Sequence, residues 1–323
     1  MNGSLTRRDF LGRTGAICAG ASMASLFPCT AGAAPPSHLK VTIRDAMLHA
    51  TGQTDGWAAL KRIGAEGFEA VVNDDFSLPN LAHGGRTYSV ADDAGIRRLE
   101  AGAAAAGQKV TALCMANHFA ERPDTEVQLC TKAAEAAQAL GARAIRIDVV
   151  PGSLARAEFL ALAIKTLSRV LAATESTGVA FAIENHGTTT NDPAFLQPLL
   201  AGVGSPRLGL TLDTGNFYWF GHPLSKVYEL YETFAPRVFH THCKSIRYPA
   251  EDRQRQRPVG WKYGEYTCPI YEGDIDFRRV VAILKAAGYA NDLCVENESL
   301  GNTPPEAATG ILAREIEMLK GLR

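Results

Sequence analysis

The chain has 323 residues, 46% of them hydrophobic, with 33 basic and 34 acidic side chains for a formal net charge of −1. That content supports one large domain with a full core, and no basic face stands out in a chain of balanced charge, which disfavours nucleic acid as a partner. The cysteines beyond the N-terminal segment (Cys114, Cys130, Cys243, Cys268 and Cys294) are odd in number and show no C-x-x-C spacing. They are expected as free thiols, most of them inside apolar strands, not as a disulfide framework.

Residues 1–33 read as a leader. The segment "SLTRRDFLGR" (4–13) carries Arg7 and Arg8 followed by Phe10 and Leu11, then an Ala/Gly-rich apolar run and the small-residue site Ala31-Gly32-Ala33. This is the order of a twin-arginine export signal, which predicts a periplasmic or exported protein. The apolar run is too short and glycine-rich for a stable membrane span. Lipid anchoring at Cys29 ranks second, because Pro28 fits that signal poorly.

From residue 38 to 323 a β-rich run and an Ala/Leu-rich amphipathic stretch alternate eight times. Strands are expected at "KVTIRDA" (40), "FEAVVND" (68), "KVTALCMAN" (109), "AIRIDVV" (144), "VAFAIEN" (179), "LGLTLDT" (208), "RVFHTH" (237) and "DLCVEN" (292). Helices are expected near 56–66, 91–107, 124–140, 155–177, 193–203, 223–235, 275–287 and 304–322, several followed by a glycine such as Gly67, Gly107 or Gly141. The mixed-charge run "EDRQRQR" (251–257) reads as a solvated loop. Eight β/α units predict a (β/α)8 TIM barrel in a single α/β domain. An open doubly wound sheet would carry a glycine-rich turn after its first strand, and none follows "KVTIRDA".

In a barrel of this kind the reactive groups sit at the C-terminal strand ends. Those ends concentrate acids and imidazoles: Arg44-Asp45, Asn73-Asp74, Asn117-His118, Asp148, Glu184-Asn185-His186, Asp213-Thr214, His240-Thr241-His242 and Glu296-Asn297-Glu298. The last four strands each offer one ligand-type side chain, Glu184, Asp213, His242 and Glu296. Neighbouring strands lie about 4.8 Å apart, so the four can converge on one ion. Three carboxylates and an imidazole suit Mn²⁺ best, with Mg²⁺, Co²⁺ or Zn²⁺ as alternatives.

The stretches "AIENHG", "LGLTLDTGNF", "VFHTHCKS", "EGDIDFRRVVAILKAAGY" and "LCVENE" resemble the sugar phosphate isomerase/epimerase family of xylose isomerase-like barrels, over nearly the whole chain past the leader. The resemblance implies one divalent ion on the four residues above, with His242, the second histidine of the H-x-H-x-K pattern, as ligand. His240 is then a deeper or substrate-contacting group. The resemblance further implies proton abstraction beside a carbonyl, with Glu184 and Glu296 as ligands and acid/base pair. Lys244 is a candidate for oxyanion stabilisation, and His186, Asn216, Arg247, His118 and Trp261 are candidates for substrate binding.

Two departures from the family pattern matter. A second-strand Glu is absent from "AVVND", where Asn73 or Asp74 would substitute. Asn216 replaces a histidine of the nuclease branch, which argues against DNA repair. Export points to a small unphosphorylated keto-sugar or 3-keto-glycoside as substrate, ending in epimerisation, isomerisation or β-elimination. Self-association is left open. Two rivals are a metal-dependent hydrolase or phosphodiesterase on the same barrel and a non-catalytic periplasmic sugar-binding barrel.

Overall fold

The computed structural model describes residues 38–323, so the expected export signal and Cys29 lie outside the described residues. Eight parallel strands form one sheet: β1 (Lys40–Arg44), β2 (Phe68–Val72), β3 (Val110–Met115), β4 (Ala144–Ile147), β5 (Ala180–Glu184), β6 (Leu208–Asp213), β7 (Val238–His242) and β8 (Asp292–Val295). The order runs β8-β1-β2 and on to β7, and the sheet curls until β7 and β8 meet. At that joint Cys243 N donates to Cys294 O (2.7 Å) and Glu296 N donates to Cys243 O (3.2 Å). Thr241 Oγ1 accepts from Cys294 N (3.1 Å) and donates to Asp292 O (2.9 Å), a side chain standing in for ladder bonds. The result is the TIM barrel expected from the sequence.

The helices between the strands are α1 (Gly56–Ile63), α2 (Asp93–Ala105), α3 (Pro123–Leu140), α4 (Arg156–Ala173), α5 (Pro193–Val203), α6 (Leu224–Phe234), α7 (Phe277–Ala286) and α8 (Pro305–Lys320). Asp55, Asp92, Asp192 and Asp276 cap four of them, each side chain accepting from a first-turn N–H. α1 is shorter than expected because Gly64, at φ 75°, takes the left-handed cap. Gly67 serves instead where β3 approaches: a Cβ there would lie 2.4 Å from Lys109 O.

Two features add to the repeat. Ser77–His83 and Arg86–Ser89 form an antiparallel hairpin turned by Gly84 and Gly85, both at positive φ. After β7 the chain makes a long excursion in which Ser245–Ile246 pairs with Thr267–Cys268. The run 251–257 lies here and is only partly solvated. Arg257 is buried, its guanidinium 4.5 Å from the Tyr218 ring centroid and 4.3 Å from that of Tyr248, and it donates to His222 O (2.9 Å). A planar cation between two aromatic faces is stable out of water when its N–H groups find carbonyls, which a composition reading does not register.

The period-2 alternation of each strand divides the interior. One set of side chains, including Val41, Ile43, Phe68, Ile145, Phe181, Leu210 and Leu293, packs outward against the helices in one continuous apolar core. The other set faces the lumen and is mostly polar: Thr42, Glu69, Thr111, Arg146, Glu184, Thr211, Asp213, His240, His242 and Glu296 are all buried there. The small side chains Ala112, Ala144 and Ala182 form a separate cluster with Phe239. Gly209 belongs to this crowded wall, since an added Cβ would lie 2.0 Å from Arg237 O and 2.5 Å from the Phe239 ring. Gly209→Ala is therefore expected to destabilise the fold by about 2 kcal/mol or more, read as a lower urea midpoint at unchanged slope.

Candidate metal centre

Glu184 ends β5, Asp213 ends β6, His242 ends β7 and Glu296 follows β8, so four successive C-terminal strand ends deliver four donors. Their ligand atoms all lie within 4.8 Å of one another, and all four residues are buried. His242 Nδ1 is 3.6 Å from Glu184 Oε1 and 3.4 Å from Glu296 Oε2. His242 Nδ1, Asp213 Oδ2 and Glu296 Oε2 are buried without a well-formed hydrogen bond among the described residues, and the two carboxylate oxygens are answered only by the Lys244 ammonium. Buried polar atoms so incompletely satisfied, grouped within reach of one another, fit a cation.

The surroundings fix each donor. Asp213 Oδ1 accepts from Gly215 N and Asn216 N (both 2.8 Å), which turns Oδ2 toward the cluster. Glu184 Oε1 accepts from Asn216 Nδ2 (3.1 Å), and its Oε2 is held by Arg146 Nε (2.6 Å). Glu296 Oε1 pairs with Arg44. Lys244 Nζ sits 3.0 Å from Asp213 Oδ2, 3.4 Å from Glu296 Oε2 and 3.0 Å from Glu298 Oε1. Burial acts against a charge on Lys244, but Asp213 and Glu296 overcome it and raise its pKa well above the usual value. Lys244 is thus a fixed positive charge and not a proton acceptor. Burial likewise acts to raise Glu184 and Glu296, while Arg146 and His242 for the first, and Lys244 and His242 for the second, hold both below the usual carboxylate range.

Glu69, the second residue of β2, is the lumen carboxylate that neither Asn73 nor Asp74 supplies. Its Oε2 lies 2.8 Å from His242 Nε2 and 2.8 Å from His240 Nε2. Asn73 Nδ2 instead donates to Ser77 Oγ (3.0 Å), and Asp74 is an exposed partner of Arg122. An Nε2–H donated to Glu69 would leave Nδ1 of His242 as the ligand atom on the side of the carboxylate cluster, the orientation expected of a carboxylate-held metal ligand.

His240 is fully buried between Glu69 and Asp292, whose Oδ1 is 2.8 Å from its Nδ1. It lies too deep to touch a substrate and takes only the deeper of the two roles foreseen for it. In total five lumen carboxylates (Glu69, Glu184, Asp213, Asp292 and Glu296) face three permanent cations (Arg44, Arg146 and Lys244). The same carboxylates raise the pKa of His240 and His242 well above the usual imidazole value against the effect of burial, while burial pushes the Asp213 carboxyl up to about 8.

Above the cluster a cavity of 230 Å³ is lined by Arg44, Cys114, Arg146, Asp148, Glu184, His186, Glu296 and Glu298. A second, of 160 Å³, is lined by His186, Asn216, Trp219, Lys244, Tyr263 and Glu298. His186 sits 3.4 Å from Asp148 Oδ1, and this contact raises its pKa. Of the other binding candidates, Arg247 and His118 are exposed and line neither cavity. Trp261 packs against Tyr248 and Tyr266 (centroids at 5.6 and 5.7 Å), and Trp219 is the indole that faces the cleft. Hollows of 310 and 240 Å³ open at the other barrel end among Lys40, Lys109, Arg143 and Asn291, and no carboxylate lines either.

Glu315 of α8 braces the strand end beside Glu296. Its Oε1 accepts from Asn297 Nδ2 and Ile270 N, both at 2.9 Å, and burial pushes its carboxyl up to about 7. A carboxyl neutral in the fold and ionised in the unfolded chain favours folding most below pH about 4.5, and the contribution fades as pH rises to about 7. The window corresponds to about 3 kcal/mol. Glu315→Gln, which keeps the Oε1 acceptor, should flatten the fall in urea stability between pH 5 and 8.

The barrel and its strand-end cluster define a family. Residues 57–322 match the xylose isomerase-like TIM barrel family, and the chain belongs to it. An inosose dehydratase of Klebsiella pneumoniae is 30% identical over 138 residues, 41% of this chain and 44% of that protein. The chain thus spans less than half the length of the curated relatives it matches. Among solved structures, the IolI protein with a bound zinc atom superposes with a TM-score of 0.65 at 16% identity, covering 88% of this chain and 98% of that one. Mannonate dehydratase from Streptococcus suis gives 0.63 at 14% identity, over 89% and 93% of the two chains. At such identities the structures show a shared fold. Among the described residues no helix is long and apolar enough to cross a membrane.

Proposed function

We propose that this chain is a divalent-metal-dependent enzyme that removes the proton beside a carbonyl of a keto-sugar or keto-glycoside. The observation that carries the reading is the convergence of Glu184, Asp213, His242 and Glu296 at the floor of a polar cleft. A bound divalent ion supplies Lewis-acid polarisation of the carbonyl and stabilises the negative charge that develops as the neighbouring C–H is lost. Glu184 and Glu296, both ionised, are the groups available to accept that proton, one from the end of β5 and the other from just after β8. Lys244 adds a fixed positive charge beside them, and Arg44 and Arg146 hold the two carboxylates in place.

From the enolate, return of the proton gives epimerisation or isomerisation. Loss of a group from the next carbon, with a C=C bond formed, gives elimination. Two relatives are named dehydratases, which supports elimination as the outcome. Mn²⁺ suits three carboxylates and one imidazole, and the zinc of the IolI protein makes Zn²⁺ the second choice. The cations that reach the cleft, Arg44, Arg146 and Lys244, are already paired with carboxylates, which supports an unphosphorylated substrate. The export reading of residues 1–33, a periplasmic or exported enzyme, supports the same substrate class.

The test is incubation of the protein, loaded in turn with Mn²⁺, Mg²⁺, Co²⁺ or Zn²⁺, with ketohexoses and 3-keto-glycosides in D₂O. Metal-dependent entry of deuterium beside the carbonyl supports the proposal, and the product names the outcome. A filled metal site with no exchange on any substrate would sink it in favour of hydrolysis or simple sugar binding.

A further inference from the structure

The cleft has two lobes. The 230 Å³ cavity holds Glu184 and Glu296, the 160 Å³ cavity holds neither, and His186 and Glu298 line both. The second lobe has a different chemistry, with the half-buried rings of Trp219 and Tyr263 above polar Asn216 and Lys244. Aromatic faces beside a few polar groups are what a ring with an apolar face and a polar edge requires.

We infer that the substrate has two parts: a sugar ring over the carboxylate cluster, and a second ring, either a sugar or an aryl aglycone, seated at Trp219 and Tyr263. This rests on the function proposed above and adds the substrate class.

The two aromatic residues are held in place and are not loose surface rings. Gly260 N donates to Trp219 O (2.9 Å), and a Cβ at Gly260 would come 3.3 Å from Trp219 Nε1, so the loop lies flat on the indole. The next turn passes through Lys262 at φ 49°, a left-handed conformation that costs a non-glycine residue energy. It leads directly into Tyr263, whose hydroxyl donates to Glu298 Oε2 at 2.5 Å. Both rings rest partly on the hydrophobic core, which leaves the rest of each side chain to line the lobe. Glu298, fixed also by Lys244, stands with His186 where the lobes join, beside the linkage between the two rings.

The test measures binding apart from turnover. The Mg²⁺-loaded protein is titrated with methyl β-glucoside, phenyl β-glucoside and cellobiose, followed by saturation-transfer NMR. Both two-ring probes should bind at least about tenfold more tightly than the one-ring probe, with saturation reaching the second ring. Whichever of the two binds more tightly tells aryl from sugar. Trp219→Ala and, independently, Tyr263→Ala should each collapse the advantage to less than about threefold. Equal affinity for one and two rings in the wild type, or an advantage that survives both substitutions, would overturn the inference. A two-ring preference without deuterium exchange would leave it standing while the proposed reaction fails. Exchange without the preference would do the reverse.

Discussion

Glu296→Gln is expected to slow deuterium entry beside the substrate carbonyl by at least about a thousandfold, and Glu184→Gln by a similar factor. Both substitutions keep the side-chain shape and remove a charge around which cationic side chains are arranged. Glu296 loses its pairing with Arg44 and Lys244, and Glu184 its pairing with Arg146. Metal affinity, measured by competition with a chelator, separates two roles. If the ion remains and exchange disappears, the carboxylate handles the proton. If both go, it is chiefly a ligand. Wild-type exchange in either variant would remove that residue from the mechanism.

The second large effect is expected at Glu69. Glu69→Ala leaves His240 Nε2, His242 Nε2 and Arg44 Nε without their buried carboxylate, and breaking buried ion pairs of this kind costs about 3–5 kcal/mol. Urea melts should show the loss directly. Glu69→Gln keeps one oxygen and most of the packing. It should fold, yet bind metal about 10–100-fold more weakly, because His242 is no longer held by a carboxylate. Unchanged metal affinity in Glu69→Gln would show that His242 needs no such support. The comparison is informative because Glu69 touches none of the three ligand carboxylates.

The sequence carried the fold because every level of it agrees. Alternating strands, Asp caps before α1, α2, α5 and α7, and glycines after the helices all mark the same eight units. The four converging donors were legible for a related reason: each ends a strand, and strand ends of a closed parallel barrel share one rim. What escaped was the lumen. Glu69 in "FEAVV" and Arg146 in "AIRI" are lone charges inside otherwise apolar strands, and that anomaly was the available signal. Their partners, however, lie 171 and 38 residues away, and no local pattern encodes such pairings. Trp219 escaped as well: Trp261 was the indole named as a candidate, and nothing local in the sequence marks Trp219 as the one that lines the cleft.

The joint between β7 and β8 has a mechanical consequence. The barrel is a hoop fastened there by a few backbone bonds and one threonine hydroxyl, and His242 and Glu296 stand on its two sides. An ion gripped by both would act as a clasp drawing the hoop shut. Pulling the two strands apart should then take more force in the loaded protein. The amides of Cys243 and Glu296 should exchange with solvent deuterium more slowly once the ion is in place, while the far side of the hoop, at β3 and β4, stays unchanged.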